Sequence, residues 1–284
     1  MEWFWLAIIA TTMFGIQSFL YKEATEKGCN NFFVTLIFMI TVELLALFTF
    51  WLKGINFIYL SITLILGCLF AVFFFLKTIG QLKALEYLPT NKVFPITSSG
   101  MILAVLYALL FFQESLELKQ ILGIVVIVSA VILIHQKAKN EHNYQQKKIG
   151  FLIALLAAVM SGAMEIINKY AALSTNLNLF IIVTYLFGIL ISATSYTASR
   201  GQSQKVNNIK NSVKIGILIG LVNFIGYSAS LSAMTRGPLS LIAPILAFCV
   251  MITVILAKLV YHEELSTKQL SLVILSITGV ILLK

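Results

Sequence analysis

The chain has 284 residues, of which 60% are hydrophobic and 11% charged, with a mean hydropathy of +0.97 and a formal net charge of +9. An ordinary soluble domain is about half apolar and about a quarter charged, so this composition excludes a soluble globular protein. The basic residues are scattered over short loops, which leaves no basic surface for a nucleic acid.

Ten apolar windows follow one another along the chain, each about long enough to cross a bilayer as a helix. They lie at about 3–21, 32–52, 57–80, 89–112, 118–136, 149–171, 177–197, 213–234, 238–261 and 266–283. Lipid offers no water to backbone amides, so each window predicts an α-helix. The first lacks the pattern of a removable signal peptide and is kept as a helix. The predicted fold is an all-α integral protein of the plasma or inner membrane.

Polar residues are concentrated in three linkers, at 22–31, 137–148 and 198–212. Most lysines and arginines lie after the odd-numbered windows. Taken alone, the positive-inside rule places those linkers in the cytoplasm and both termini outside.

The second half of the sequence repeats the first. The stretch Leu82–Ile96 returns 149 residues later as Leu231–Ile245. The pairs least explained by apolar composition are Pro89/Pro238, Pro95/Pro244, Glu114/Glu263, Lys119/Lys268 and Gln120/Gln269. Earlier in each half the offset is 147, and it pairs Met13, Gly15 and Lys22 with Met160, Gly162 and Lys169. We therefore predict a five-helix repeat at 1–136, a polar linker at 137–148 and a second repeat at 149–284.

An odd number of crossings decides how the halves are related. A second copy that starts after five crossings enters the bilayer from the other side, which gives an inverted repeat. Two such halves can open a shared midplane cavity to each face in turn, as secondary transporters do.

The four prolines have two predicted roles. Pro89 and Pro238 come at helix starts, where a missing N–H costs little. Pro95 and Pro244 fall about two turns later, where each removes a helical hydrogen bond and should kink the helix. Such a kink could serve a cavity or a hinge, or it could be a fixed feature of packing.

These features resemble the drug/metabolite transporter superfamily, and within it the EamA-like proteins. The resemblance rests on the two five-helix halves, on the Ala84–Pro95 and Ala233–Pro244 patterns, and on the Glu-to-Gln approach to the last helix of each half. It implies export of metabolites or drugs, commonly amino acids or other small polar solutes. It also implies cytoplasmic termini, against the charge count, so the orientation stays open.

Two carboxyl groups at membrane depth are the first candidates for contact with a solute. An ionisable group there is costly and is normally turned inward, paired or functional. Glu43 lies in the second window, where it could stay neutral, meet Lys77, or face the cavity. Glu165 could pair with Lys169 one helical turn away, or could bind a substrate amine or carry a coupling proton. Otherwise Lys169 and Lys77 are expected to snorkel to the headgroups.

Neutral polar side chains form a second group of candidates. Those selected for binding a solute or coupling are Gln17, Ser18, Asn91, Ser98, Asn223 and Tyr227. Most polar groups in membrane helices bond to neighbouring helices, and only some of these six are expected to touch solute. The run Phe70–Phe75 is expected to face lipid or packed helices.

No motif indicates an enzyme, a metal site, a cofactor or an ATP-driven pump. The predicted function is secondary transport that exports small polar, amino-acid-like metabolites or cationic compounds by alternating access. A coupling proton or counter-solute would supply the energy. The alternative is a lipid-handling protein, such as a flippase for a lipid-linked sugar. The sequence leaves open whether the protein is a monomer or a homodimer.

Overall fold

The computed structural model describes residues 2–53, 57, 59–88, 93, 96–133, 144–199, 208–261 and 267–284. These residues are almost entirely helical and contain no strand. The helices are α1 (Glu2–Glu26), α2 (Asn31–Lys53), α3 (Leu60–Tyr87), α4 (Gly100–Phe111), α5 (Leu118–Leu133), α6 (Tyr144–Ser174), α7 (Leu177–Ser199), α8 (Ile209–Arg236), α9 (Leu239–Ala247), α10 (Cys249–Tyr261) and α11 (Thr267–Leu282).

These helices make ten membrane segments within the described residues. Seven are long and apolar enough to span a bilayer, and α9 and α10 together form one of them, Leu239–Tyr261. Three shorter apolar helices, Ile96–Phe111, Leu118–Leu133 and Gln269–Leu282, complete the set. The predicted all-α fold with ten transmembrane helices is therefore confirmed. Some helices run past their apolar windows, as α3 does to Tyr87.

The two halves interlock through reciprocal contacts. Helix α1 packs along α8, and their repeat equivalents α6 and α3 pack along each other in the same way. The contact of α1 with α10 likewise has its counterpart in that of α6 with α4. Helices α2 and α7, and also α5 and α11, pair directly with their own equivalents. Such reciprocity requires a pseudo-two-fold relation, and five crossings per half make the repeat inverted.

A break in the helix recurs at equivalent positions of the two halves. Ser99 donates its backbone N–H to the Ile96 carbonyl at 3.1 Å, and Phe248 donates to the Ile245 carbonyl at 3.1 Å. Their backbone angles are also alike, with φ −65° and ψ −10° at Ser99 and φ −61° and ψ −13° at Phe248. The repeat thus preserves an irregularity of the backbone as well as side chains.

The described prolines lie around this second break. Pro238 precedes α9 with extended angles, φ −71° and ψ 135°, and Pro244 lies inside α9. The helix is interrupted four residues after Pro244, at Phe248. Thr11 of α1 donates its hydroxyl to the Ile245 carbonyl at 2.9 Å, which gives a carbonyl at the break a partner. Pro89 and Pro95 lie outside the described residues.

Candidate functional site

A cavity of about 940 Å³ lies between α1, α2, α3, α6, α7 and α8. Both halves of the chain contribute to its wall. We call the end of the bundle where α1 begins the terminal end, and the end where α1 finishes and α2 begins the opposite end. The lining runs from the middle of the helices to Asn30, at the start of α2, so this central cavity lies towards the opposite end.

Many polar side chains line the cavity wall. They are Gln17, Ser18, Tyr21, Asn30, Thr35, Lys77, Thr78, Gln81, Glu165, Asn168, Thr184, Tyr185, Ser192, Asn223, Tyr227 and Ser230. On α8 the spacing of Asn223, Tyr227 and Ser230 puts all three on one helical face. The bundle thus turns its polar faces to the cavity and its leucines and isoleucines to lipid.

Hydrogen bonds connect several of these side chains. Tyr185 donates its hydroxyl to the Asn223 side-chain oxygen, and the Asn223 amide nitrogen donates to the Gln17 side-chain oxygen at 2.9 Å. Tyr227 donates its hydroxyl to the Asn168 side-chain oxygen at 2.8 Å. The first chain of bonds joins α7, α8 and α1, so it crosses between the halves. These hydrogen bonds hold the side chains of the wall in position around the central space.

The cavity also holds one carboxyl group and one ammonium group. Glu165, on α6, lies one helical turn from Asn168, and Lys77 of α3 is the cation that interacts with it electrostatically. Its Oε2 atom is buried and has no hydrogen-bond partner among the described residues. The two charges come from different halves and both line the wall. The predicted snorkelling of Lys77 is therefore wrong, and of the alternatives left open for Glu43, an ion pair with Lys77 is not formed between these two described residues.

Lys169 does not pair with Glu165 and does not snorkel. It is 7% exposed, and its ammonium donates to the carbonyls of Met234 and Gly237, both at 2.8 Å. These carbonyls belong to the end of α8, where the last turn has no helical donors. The position of α8 against α6 decides this partner, and the sequence of α6 does not reveal it.

Aromatic rings fill much of the remaining wall. Phe70, Phe74 and Phe75 of α3 line the cavity, so the expectation that this run faces only lipid or packed helices is wrong. The reason is that α3 is surrounded by α6, α7 and the cavity along its second half. Phe14 and Phe38 line other sides of the same space.

The structure brings together five of the predicted site residues. Gln17, Ser18, Glu165, Asn223 and Tyr227 all line the central cavity. Residues that the sequence analysis missed include Asn168 and Tyr185. A signal for them exists in the helical spacing, since Asn168 is one turn from Glu165, and Tyr185, Gly188 and Ser192 follow one face of α7.

Three predicted site residues are not part of this arrangement. Ser98 and Glu43 do not line the cavity, and Asn91 lies outside the described residues. Glu43 is 7% exposed, and its buried Oε2 atom has no partner in the described part of the chain. It comes one turn after Met39, whose sulfur accepts a hydrogen bond from Ser192 at 3.0 Å. Glu43 therefore lies one turn beyond the cavity lining, towards the terminal end.

The terminal end is closed by contacts between the halves. Glu2 at the start of α1 forms an ion pair with Arg236 at the end of α8. Trp3 packs so tightly on Gly237 that a Cβ atom added there would lie 2.4 Å from its ring. No described residue near this end lines the central cavity.

The fold and cavity define a class: a ten-helix membrane protein built from inverted repeats around a polar central space. The model of the EamA-like transporter family matches residues 1–136 and 148–284. The chain belongs to this family and is therefore a membrane transporter of the drug/metabolite type, within a family of transporters and not of enzymes.

Comparison with individual proteins adds support for the fold. One crystal structure superposes with a TM-score of 0.77 over 98% of this chain and 95% of that chain, at 15% sequence identity. At this identity the likeness shows the fold alone. No curated protein matches the chain.

Proposed function

We propose that the protein is a secondary transporter that binds small, polar, amino-acid-like solutes in the central cavity and exports them by alternating access. The observation that carries this proposal is the pair of opposite charges on the cavity wall, Glu165 and Lys77. A carboxylate complements an ammonium group, and an ammonium complements a carboxylate. A zwitterion satisfies both at once.

The balance of charge favours a zwitterion over a simple cation. Among the described residues, the wall carries one acidic and one basic side chain, so this part of it offers no net negative charge to a cationic drug. Phe14, Phe38 and Phe74 supply apolar surface for a side chain of the solute. Ligand sites commonly combine such apolar surface with a few placed polar groups, in volumes of roughly 300–1,000 Å³.

Alternating access is supported by the position of the cavity. It reaches towards the opposite end, while contacts between the halves close the terminal end. In an inverted repeat the two halves can exchange their conformations, which would move the opening to the other end. Export as the direction of transport comes from the family resemblance. A proton or a counter-solute is the proposed source of energy.

The proposal is tested by binding and transport with purified protein. Thermal-shift screening with amino acids, organic cations and lipid-linked sugars first identifies a ligand, and uptake into proteoliposomes then measures its transport. Glu165→Gln and Lys77→Met should each weaken binding by about tenfold or more, because each removes a charge-assisted contact of about 1.5–3 kcal/mol.

The matched control is Glu117→Gln, since Glu117 is an exposed carboxylate paired with Lys119 outside the cavity. It should leave binding unchanged. Unaltered affinity in both cavity variants would refute the assignment of the site. A response to lipid-linked sugars alone would favour a flippase over the proposed transporter.

A further inference from the structure

One carboxylate of the first half binds the second half at the terminal end. Glu114 lies in the segment between α4 and α5, in the first half. Its Oε1 atom accepts the backbone N–H of Leu239 at 2.8 Å. Its Oε2 atom accepts the backbone N–H of Ser240 at 2.8 Å and the Ser240 hydroxyl at 2.6 Å. Glu114 thereby caps the first turn of α9, which belongs to the second half.

The chemistry of this contact is favourable and specific. The first turn of a helix carries N–H groups without helical acceptors and a partial positive charge, so a carboxylate is its natural partner. A helix is usually capped by the side chain of the residue that immediately precedes its first turn. Here Pro238 precedes the helix and has no side-chain acceptor to offer, and the cap comes from 125 residues away in the chain.

The other side of the same junction is fixed from within the second half. Lys169 of α6 binds the Met234 and Gly237 carbonyls at the end of α8, and it lies close enough to Glu114 for an electrostatic interaction. The α8–α9 junction is therefore held on both sides. Of these two contacts, only the one made by Glu114 must break when the halves separate at this end.

We propose that Glu114 is a latch that holds the terminal end closed, and that it sets the balance between the two access states of the transporter. The inference rests on alternating access as proposed above. When the terminal end opens, the Glu114 carboxylate loses its three hydrogen bonds to Leu239 and Ser240 and binds water in their place. Weakening the latch raises the population of the state open at that end.

Distances between two spin labels at the terminal end test the latch. The labels replace the exposed residues Leu118, in the first half, and Leu173, in the second half, in a variant whose three native cysteines are substituted. Measurements on purified, substrate-free protein compare Ser240→Ala and Glu114→Gln. The population with the longer distance, divided by the population with the shorter distance, should rise about threefold in Ser240→Ala and about tenfold in Glu114→Gln.

Asn176→Ala is the matched control. Asn176 caps α7 at the same end of the bundle, with its side-chain oxygen 3.1 Å from the Asn178 N–H and 3.2 Å from the Leu179 N–H, but this cap stays within one half. Loss of this cap should not change the ratio of the two populations.

Two results would overturn the latch: an unchanged ratio in both Glu114→Gln and Ser240→Ala, or an equal rise in the Asn176 control. Should Glu114→Gln fail to fold, Ser240→Ala removes a single hydroxyl and decides the question alone. Failure of the proposed function would appear elsewhere, as the absence of solute transport by the unaltered protein.

Discussion

The crossing of α4 and α6 offers a sharp test of the packing between the halves. A Cβ atom added to Gly162 would lie 2.6 Å from the Gly100 carbonyl oxygen and 2.9 Å from the Leu103 Cβ, whereas ordinary contact begins at 3.4 Å. Gly162→Ala therefore forces the two backbones about 0.8 Å apart. Overpacking of this kind typically costs about 1–3 kcal/mol.

Gly80→Ala separates this effect from helix propensity. A Cβ atom at Gly80 would lie 3.3 Å from the Ala157 Cβ, so the neighbour must give by only about a tenth of an ångström. Both substitutions gain the same propensity of about 1 kcal/mol, and that term cancels in the comparison. Gly162→Ala should thus be less stable than Gly80→Ala by about 1–3 kcal/mol.

Thermal unfolding in detergent, followed by size-exclusion chromatography, measures the difference. At about 2–4 °C per kcal/mol, the midpoint of Gly162→Ala should lie about 2–12 °C below that of Gly80→Ala. Equal midpoints, or a higher midpoint for Gly162→Ala, would show that α4 and α6 do not approach as closely as the structure indicates.

Three further substitutions follow from individual side chains. Lys169→Met should lower the unfolding midpoint clearly, because it leaves the Met234 and Gly237 carbonyls without their donor in a buried site; an unchanged midpoint would contradict the contact. Asn223→Leu should weaken solute binding about five- to tenfold, since it removes the centre of the hydrogen-bonded chain on the cavity wall, and a binding titration checks it. Glu43→Leu should raise the unfolding midpoint, because a buried carboxyl oxygen without a partner is destabilising; a fall would reveal a partner.

Much of the fold follows from the pattern of apolar residues. Lipid forces any long apolar segment to form a helix, so the order and number of helices were predictable from composition along the chain. The pairs Pro89/Pro238 and Glu114/Glu263 revealed the repeat, and counting five crossings gave its inverted form. The candidate site was only partly predictable. Glu165 and Asn223 were found because polar groups at membrane depth are costly and usually face inward.

What the sequence could not supply is the choice of partner for each side chain. Glu43 and Glu165 look alike in sequence, since both are carboxyls in apolar helices. Helix α2 places Glu43 one turn beyond Met39, outside the cavity lining, whereas α6 presents Glu165 to the cavity.

The sequence by itself determined the all-helical membrane fold, the ten crossings and the inverted repeat, because these depend on local apolarity and on parity. Only the tertiary structure decided that Lys77 joins Glu165 in the cavity, that Lys169 caps α8 and that Glu114 caps α9. The physical reason is that each of these contacts joins groups far apart in the chain. Their distances depend on how the helices pack, and no local pattern encodes that packing.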